Sequence, residues 1–141
     1  MNLVDANVLL YAVNESDPKH DSARRWLDGA LNDAEPVGFA WLALLAFVRL
    51  STRVGLFPRP LSPTGALERV QAWLAQPPAV MLEPTTRHLA VLAGLIEPLG
   101  TAGNLVGDAH LAAIATEHGA TVVTYDTDFA RFPGVRWQMP A

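Results

Sequence analysis

Short apolar runs of strand length alternate with longer stretches of helical periodicity along the chain, an order that calls for crossover connections rather than hairpins. Asn2–Val4, Glu35–Phe39, Ala79–Leu82 and Thr121–Thr124 predict four strands, and a short fifth is expected near Val135–Trp137. The first strand runs through Asp5 directly into a helix over Val8–Val13, broken at Asn14 to Pro18. From Lys19 to Leu31, Ala23, Trp26, Leu27, Ala30 and Leu31 recur at helical spacing. Trp41–Thr52 is apolar almost all round, as expected of a helix covered on most sides. A proline-bearing loop over Val54–Thr64 leads to a helix capped by Ser62, with Pro63 in its first turn and Leu67, Val70, Trp73 and Leu74 along it. Thr85 or Thr86 is expected to cap a helix reaching about Leu99, and an alanine-rich helix over Asn104–His118 should end at Gly119. Right-handed crossovers between such units give a parallel sheet covered on both faces, so the fold class is α/β.

Composition narrows the functional classes. Half of the 141 residues are hydrophobic and 17% are charged, enough apolar surface for one core, so a single domain over residues 1–141 is expected. The longest apolar run, Val37–Val48, is too short to cross a bilayer, and no basic stretch leads into an apolar signal region, so the expected location is the cytoplasm. The absence of cysteine excludes disulfides, zinc thiolates and thiol nucleophiles. Asp5-Ala-Asn7 stands where a dinucleotide-binding turn would need glycines. A net charge of -4 and a pI near 5.4 count against a broad basic surface for nucleic acid. The basic side chains are nevertheless all arginines except Lys19, and arginine suits bidentate phosphate contacts.

In a parallel α/β sheet the reactive groups gather beyond the carboxyl ends of the strands, where the strand order switches. Asp5 ends the first strand, Asp126 and Asp128 follow the fourth, and Asp108 lies early in the helix before it. Carboxylates meeting at one edge repel one another and need a cation to persist. Magnesium takes oxygen ligands, usually through one or two carboxylates, and leaves positions for water and phosphate oxygens. Phosphodiester hydrolysis follows from that arrangement, with no protein nucleophile required. Thr124, two residues before Asp126, would point the same way and hold a ligand or water by its hydroxyl. Singly, each aspartate reads equally well as a helix cap or first-turn charge, and Asp126-Thr-Asp128 as an Asx turn.

Leu3-Val-Asp5-Ala-Asn7-Val-Leu-Leu-Tyr11, Asp108-Ala-His-Leu-Ala-Ala113 and Thr124-Tyr-Asp126-Thr-Asp128-Phe129, with the Gly119-Ala-Thr-Val-Val lead-in, resemble the PIN domain, specifically the VapC toxin family. The resemblance runs nearly end to end. It implies a three-layer α/β/α sandwich around a parallel sheet, and magnesium or manganese at Asp5, Asp108 and Asp126, with Asp128 beside them. It further implies endonuclease action on structured RNA such as tRNA or rRNA, and a homodimer silenced by a VapB-type antitoxin. The family's usual glutamate after the second strand falls on Ala46, which cannot bind metal. That departure leaves three readings: a three-carboxylate site, rescue by Asp128, or a weakened scaffold that chiefly binds RNA or antitoxin.

An aspartyl-phosphate phosphatase with Asp5 as nucleophile is the nearest enzymatic rival, but Asn7 replaces the second aspartate it would want and no late lysine exists. His110 lies about 200° around a helix from Asp108 and reads as a packing or surface residue. His20, His88 and His118 are placed at helix ends or on exposed faces. Phe57-Pro-Arg-Pro-Leu61, with Trp41 and Phe47, reads equally as a patch for a dimer partner or antitoxin and as a buried loop.

Overall fold

A computed structural model describes all 141 residues. Its elements run β1 (Asn2–Val4), α1 (Ala6–Val13), α2 (His20–Leu31), β2 (Val37–Phe39), α3 (Trp41–Ser51), α4 (Pro63–Leu74), β3 (Ala79–Met81), α5 (His88–Ile96), α6 (Val106–Glu117), β4 (Thr121–Val123) and β5 (Trp137–Gln138). Single 3-10 turns lie at Glu97–Leu99, Gly103–Leu105 and Thr127–Arg131. All pairings are parallel, in the order β3-β2-β1-β4-β5. The chain therefore builds outward from the central β1 to β3, then crosses to the other side of β1 to add β4 and β5. The direction of winding reverses between β1 and β4, which opens a crevice at their carboxyl ends.

The period-two alternation of short strands builds the two cores. On one face Val4, Val37, Phe39 and Val123 pack with Val8 and Leu9 of α1, Ala23 and Leu27 of α2, Leu44 and Phe47 of α3, and Ala66 and Val70 of α4. On the other, Leu3 and Val122 pack with Leu95 of α5, Phe129, Phe132 and the buried run Leu111–Ala115 of α6. Helices thus cover both faces, giving the three-layer α/β/α sandwich. Alanine at positions 109, 112, 113 and 115 lets α6 approach the sheet closely, and Gly119, at φ 66°, turns the chain into β4. Gly38 has a steric reason: a Cβ there would meet Leu82 Cδ1 at 2.5 Å and the Asn2 carbonyl oxygen at 3.1 Å.

Several expectations are revised. Helix α3 is covered on one side only, since Trp41, Leu42 and Leu45 are 49%, 41% and 60% exposed. The proline-bearing loop is split in the same way: Phe57 is buried while Val54 and Leu56 are open to solvent. In α4 the buried residues are Ala66 and Val70, and Leu67 faces out. Ser62 does cap α4, accepting from Gly65 N at 3.0 Å. Thr85 does serve the start of α5, its Oγ1 accepting from Arg87 N at 3.2 Å and its carbonyl from His88 N at 3.1 Å, and it is also bound to Glu117. The buried Glu117 carboxylate accepts from Thr85 N at 2.9 Å, Thr85 Oγ1 at 2.6 Å and His88 Nδ1 at 2.6 Å, and His88 Nε2 meets His110 Nδ1 at 2.9 Å. Burial opposes ionisation of Glu117, but these bonds hold its carboxyl below the usual range. His88 and His110 are thus tied into a clamp between α5 and α6. No helix is long and apolar enough to cross a membrane.

Phe39 is wholly buried in the α1 to α4 core. Phe39→Ala is expected to cost roughly 3–5 kcal/mol in urea denaturation, the usual penalty for truncating a core phenylalanine.

Candidate active site

Asp5 leaves the end of β1 with extended backbone angles (φ -80°, ψ 156°) and caps α1, its Oδ1 accepting from Ala6 N at 2.7 Å. Its Oδ2 accepts from Thr124 Oγ1 at 2.8 Å and from Asn7 Nδ2 at 3.3 Å. Thr124 is wholly buried just past β4, and its hydroxyl uses its full capacity: it donates to Asp5 and accepts from Asn7 Nδ2 at 2.9 Å and Asp126 N at 3.0 Å. Asn7 completes the knot by accepting from Tyr125 N at 3.1 Å. Two turns 119 residues apart are locked edge to edge by these bonds. Thr124 therefore steadies a carboxylate; its hydroxyl has no capacity left for a water.

Asp126 caps the 3-10 turn Thr127–Arg131, its Oδ1 accepting from Asp128 N at 2.8 Å, so the Asx turn and the acidic site coexist in the same residues. Asp108 reaches the crevice from the first turn of α6. Asp5, Asp108 and Asp126 line one pocket of about 310 Å³ with Ala46, Arg49, Leu50 and Leu111. Carboxylate oxygens of Asp108, Asp126 and Asp128 approach within 4.8 Å of one another. Asp5 stands outside this trio, with both its oxygens engaged.

Burial first, then the charges of Asp5, Asp126 and Asp128, push the Asp108 carboxyl up to about 7. Asp5 is also raised by burial, against the opposing hydrogen bonds of Thr124 and Ala6, and Asp126 adds to the rise. The donor set is all oxygen, crowded and deficient in positive charge, and no histidine lines the pocket. It fits a hard divalent cation such as magnesium or manganese and not a thiolate or imidazole metal.

Asn7 and Arg49 are the residues sequence reasoning passed over. Asn7 had a signal, since a side-chain amide two residues after a strand-end acid can brace that acid. Arg49 had none, because only the fold brings the last turn of α3 to the carboxylates.

Asp108 binds its proton more tightly folded than unfolded, so its contribution to stability is full at low pH and is lost as pH rises from the ordinary carboxyl range through about 7. The denaturation midpoint of the metal-free protein is accordingly expected to fall between about pH 5 and about pH 8, and to fall less in Asp108→Asn. An equal fall in the variant would assign the effect to another group.

The PIN domain family profile matches residues 3–135. Ribonuclease VapC37 of Mycobacterium tuberculosis is 59% identical over 140 residues, covering 99% of this chain and 97% of its own length. Ribonuclease VapC33 of the same organism is 38% identical over 140 residues, covering 99% of this chain and 98% of its own. Among solved structures, VapBC2 from Rickettsia felis, bound to a promoter DNA fragment, superposes with a TM-score of 0.71 at 16% identity over 98% of this chain and 97% of the other. VapC20 of Mycobacterium tuberculosis, a toxin that cleaves the sarcin-ricin loop, gives 0.67 at 18% identity over 96% and 99%. Full-length similarity of sequence and the same sandwich fold agree with the motifs, and the chain belongs to the PIN-domain family, among the VapC ribonucleases.

Proposed function

We propose that this chain is a magnesium-dependent endoribonuclease, the toxin of a type II toxin–antitoxin pair, acting on structured RNA of the tRNA or rRNA kind. The observation that carries the reading is the convergence of Asp5, Asp108 and Asp126 on one pocket at the β1/β4 crevice, with an Asp108 carboxyl that keeps its proton near neutrality unless a cation replaces it. Asp108, Asp126 and Asp5 would hold the ion, with Asp128 at its edge. When bound, such an ion supplies the Lewis acidity that makes water a nucleophile near neutral pH and offsets charge on the phosphate. The chain's own part is positional. Asn7 and Thr124 fix Asp5, the Asp128 amide fixes one Asp126 oxygen, and Asp108, which shares its proton with Asp126 in the metal-free site, would give that proton up as the cation enters.

The solved relatives support an antitoxin partner, since several of them are VapBC complexes. The open apolar face of α3, at Trp41, Leu42 and Leu45, and the neighbouring Val54 and Leu56 offer surface for an antitoxin or for a second copy in a homodimer. One observation favours the second reading, a weakened scaffold that mainly binds RNA or antitoxin: α3 presents Ala46 to the pocket where an acid would complete the set.

Asp108→Asn is the cleanest test, because Asp5 also caps α1 and its loss carries a stability cost of about 1 kcal/mol. The variant is expected to lose toxicity and metal-dependent cleavage of total tRNA or rRNA, and chelation should silence the parent chain. Undiminished cleavage by the variant would refute the site. Ala46→Glu is expected to tighten manganese binding, measured by calorimetry, by roughly 10-fold. Unchanged affinity would mean that this wall of the pocket does not face the ion.

A further inference from the structure

Helix α3 brings a cation rather than an acid to the pocket. Arg49, one turn beyond Ala46, is the one basic side chain lining the wall that holds Asp5, Asp108 and Asp126. It is exposed and forms no ion pair, although four carboxylates gather nearby. Position, rather than lack of a partner, singles it out: Arg25, Arg53, Arg59, Arg69 and Arg131 form no ion pair either, but none of them lines this pocket. An RNA phosphate entering the pocket meets a negative potential that a single divalent ion does not cancel against four carboxylates, so its approach is opposed unless another cation faces it. A guanidinium with no protein partner offers two parallel N–H donors in the geometry that phosphate oxygens accept. The helix dipole favours any cation in the last turn of α3, lysine as well as arginine, and so does not account for the guanidinium.

We propose that Arg49 is a substrate-binding residue that grips a non-bridging oxygen of an RNA phosphate and sets the strand against Asp108 and Asp126. The inference rests on the ribonuclease reading, and it assigns to the chain itself the positive charge that an acidic protein needs at the point of contact.

The test is fluorescence anisotropy of a fluorescein-labelled RNA hairpin with magnesium present, in an Asp108→Asn background. That background is expected to bind RNA without cutting it, and it carries one carboxylate fewer to repel it. Adding Arg49→Ala is expected to raise Kd about 10-fold and to make the plot of log Kd against log salt shallower by about 0.7–0.9, the signature of one lost phosphate contact. Arg49→Lys keeps the charge and should restore the slope but only part of the affinity. Manganese titration of Arg49→Ala, in the otherwise unmodified chain without RNA, should show binding no weaker than in the parent. An unchanged Kd and slope, or weakened manganese binding, would overturn the assignment, and so would absence of hairpin binding in the background. Cleavage of total tRNA and rRNA by the unmodified chain is the separate readout of the ribonuclease reading, so failure there is told apart from failure at Arg49.

Discussion

One buried hydroxyl holds the site together. Thr124 ties the Asp5 carboxylate, the Asn7 amide and the Asp126 backbone to a single oxygen, and thereby joins the turn after β1 to the turn after β4. The parallel register that pairs Leu3 with Val122 and Val4 with Val123 brings the two turns level before any side chain acts. Without that alignment the aspartates would be helix caps on separate turns. With it, each cap is also a wall of the pocket, and groups that repel one another are held close by a scaffold of neutral donors.

The repulsion does not spread evenly. Asp5 accepts three hydrogen bonds that partly offset its burial, and the Asp126 side chain accepts one backbone amide. Asp108 has no backbone amide as donor and faces three like charges, so the strain of the cluster collects on its carboxyl. A proton relieves it, and a cation held as proposed would compete with that proton for the same oxygens.

Much of this was legible in the residues. Alternation of strand and helix gave the parallel sheet, and parallel strands ending in aspartate gave a shared edge, because position at a strand terminus survives errors of a residue or two in its limits. Ser62-Pro63 and Gly119 marked their helix ends through local backbone chemistry that tertiary contacts did not override. Coverage was not legible in α3, since an apolar helix looks alike whether its outer face meets the core or solvent; Phe47 went inside and Leu45 outside. Neither was the Glu117 clamp, although His110 and Glu117 lie seven apart on one face of α6, because its other half comes from Thr85 and His88 on a different element. Arg49 belongs to the same class: a place on the pocket wall that only packing assigns leaves no local trace.

The switch between β1 and β4 also has a temporal side. The central strand is synthesised before its neighbour across the switch, and the threonine and aspartate of the acid cluster follow only at 124 and 126. A chain that has reached β1, β2 and β3 still lacks Thr124 and Asp126. The crevice is thus a feature of the whole sandwich: no contiguous stretch on one side of the switch contains it, and its two walls come from turns 119 residues apart.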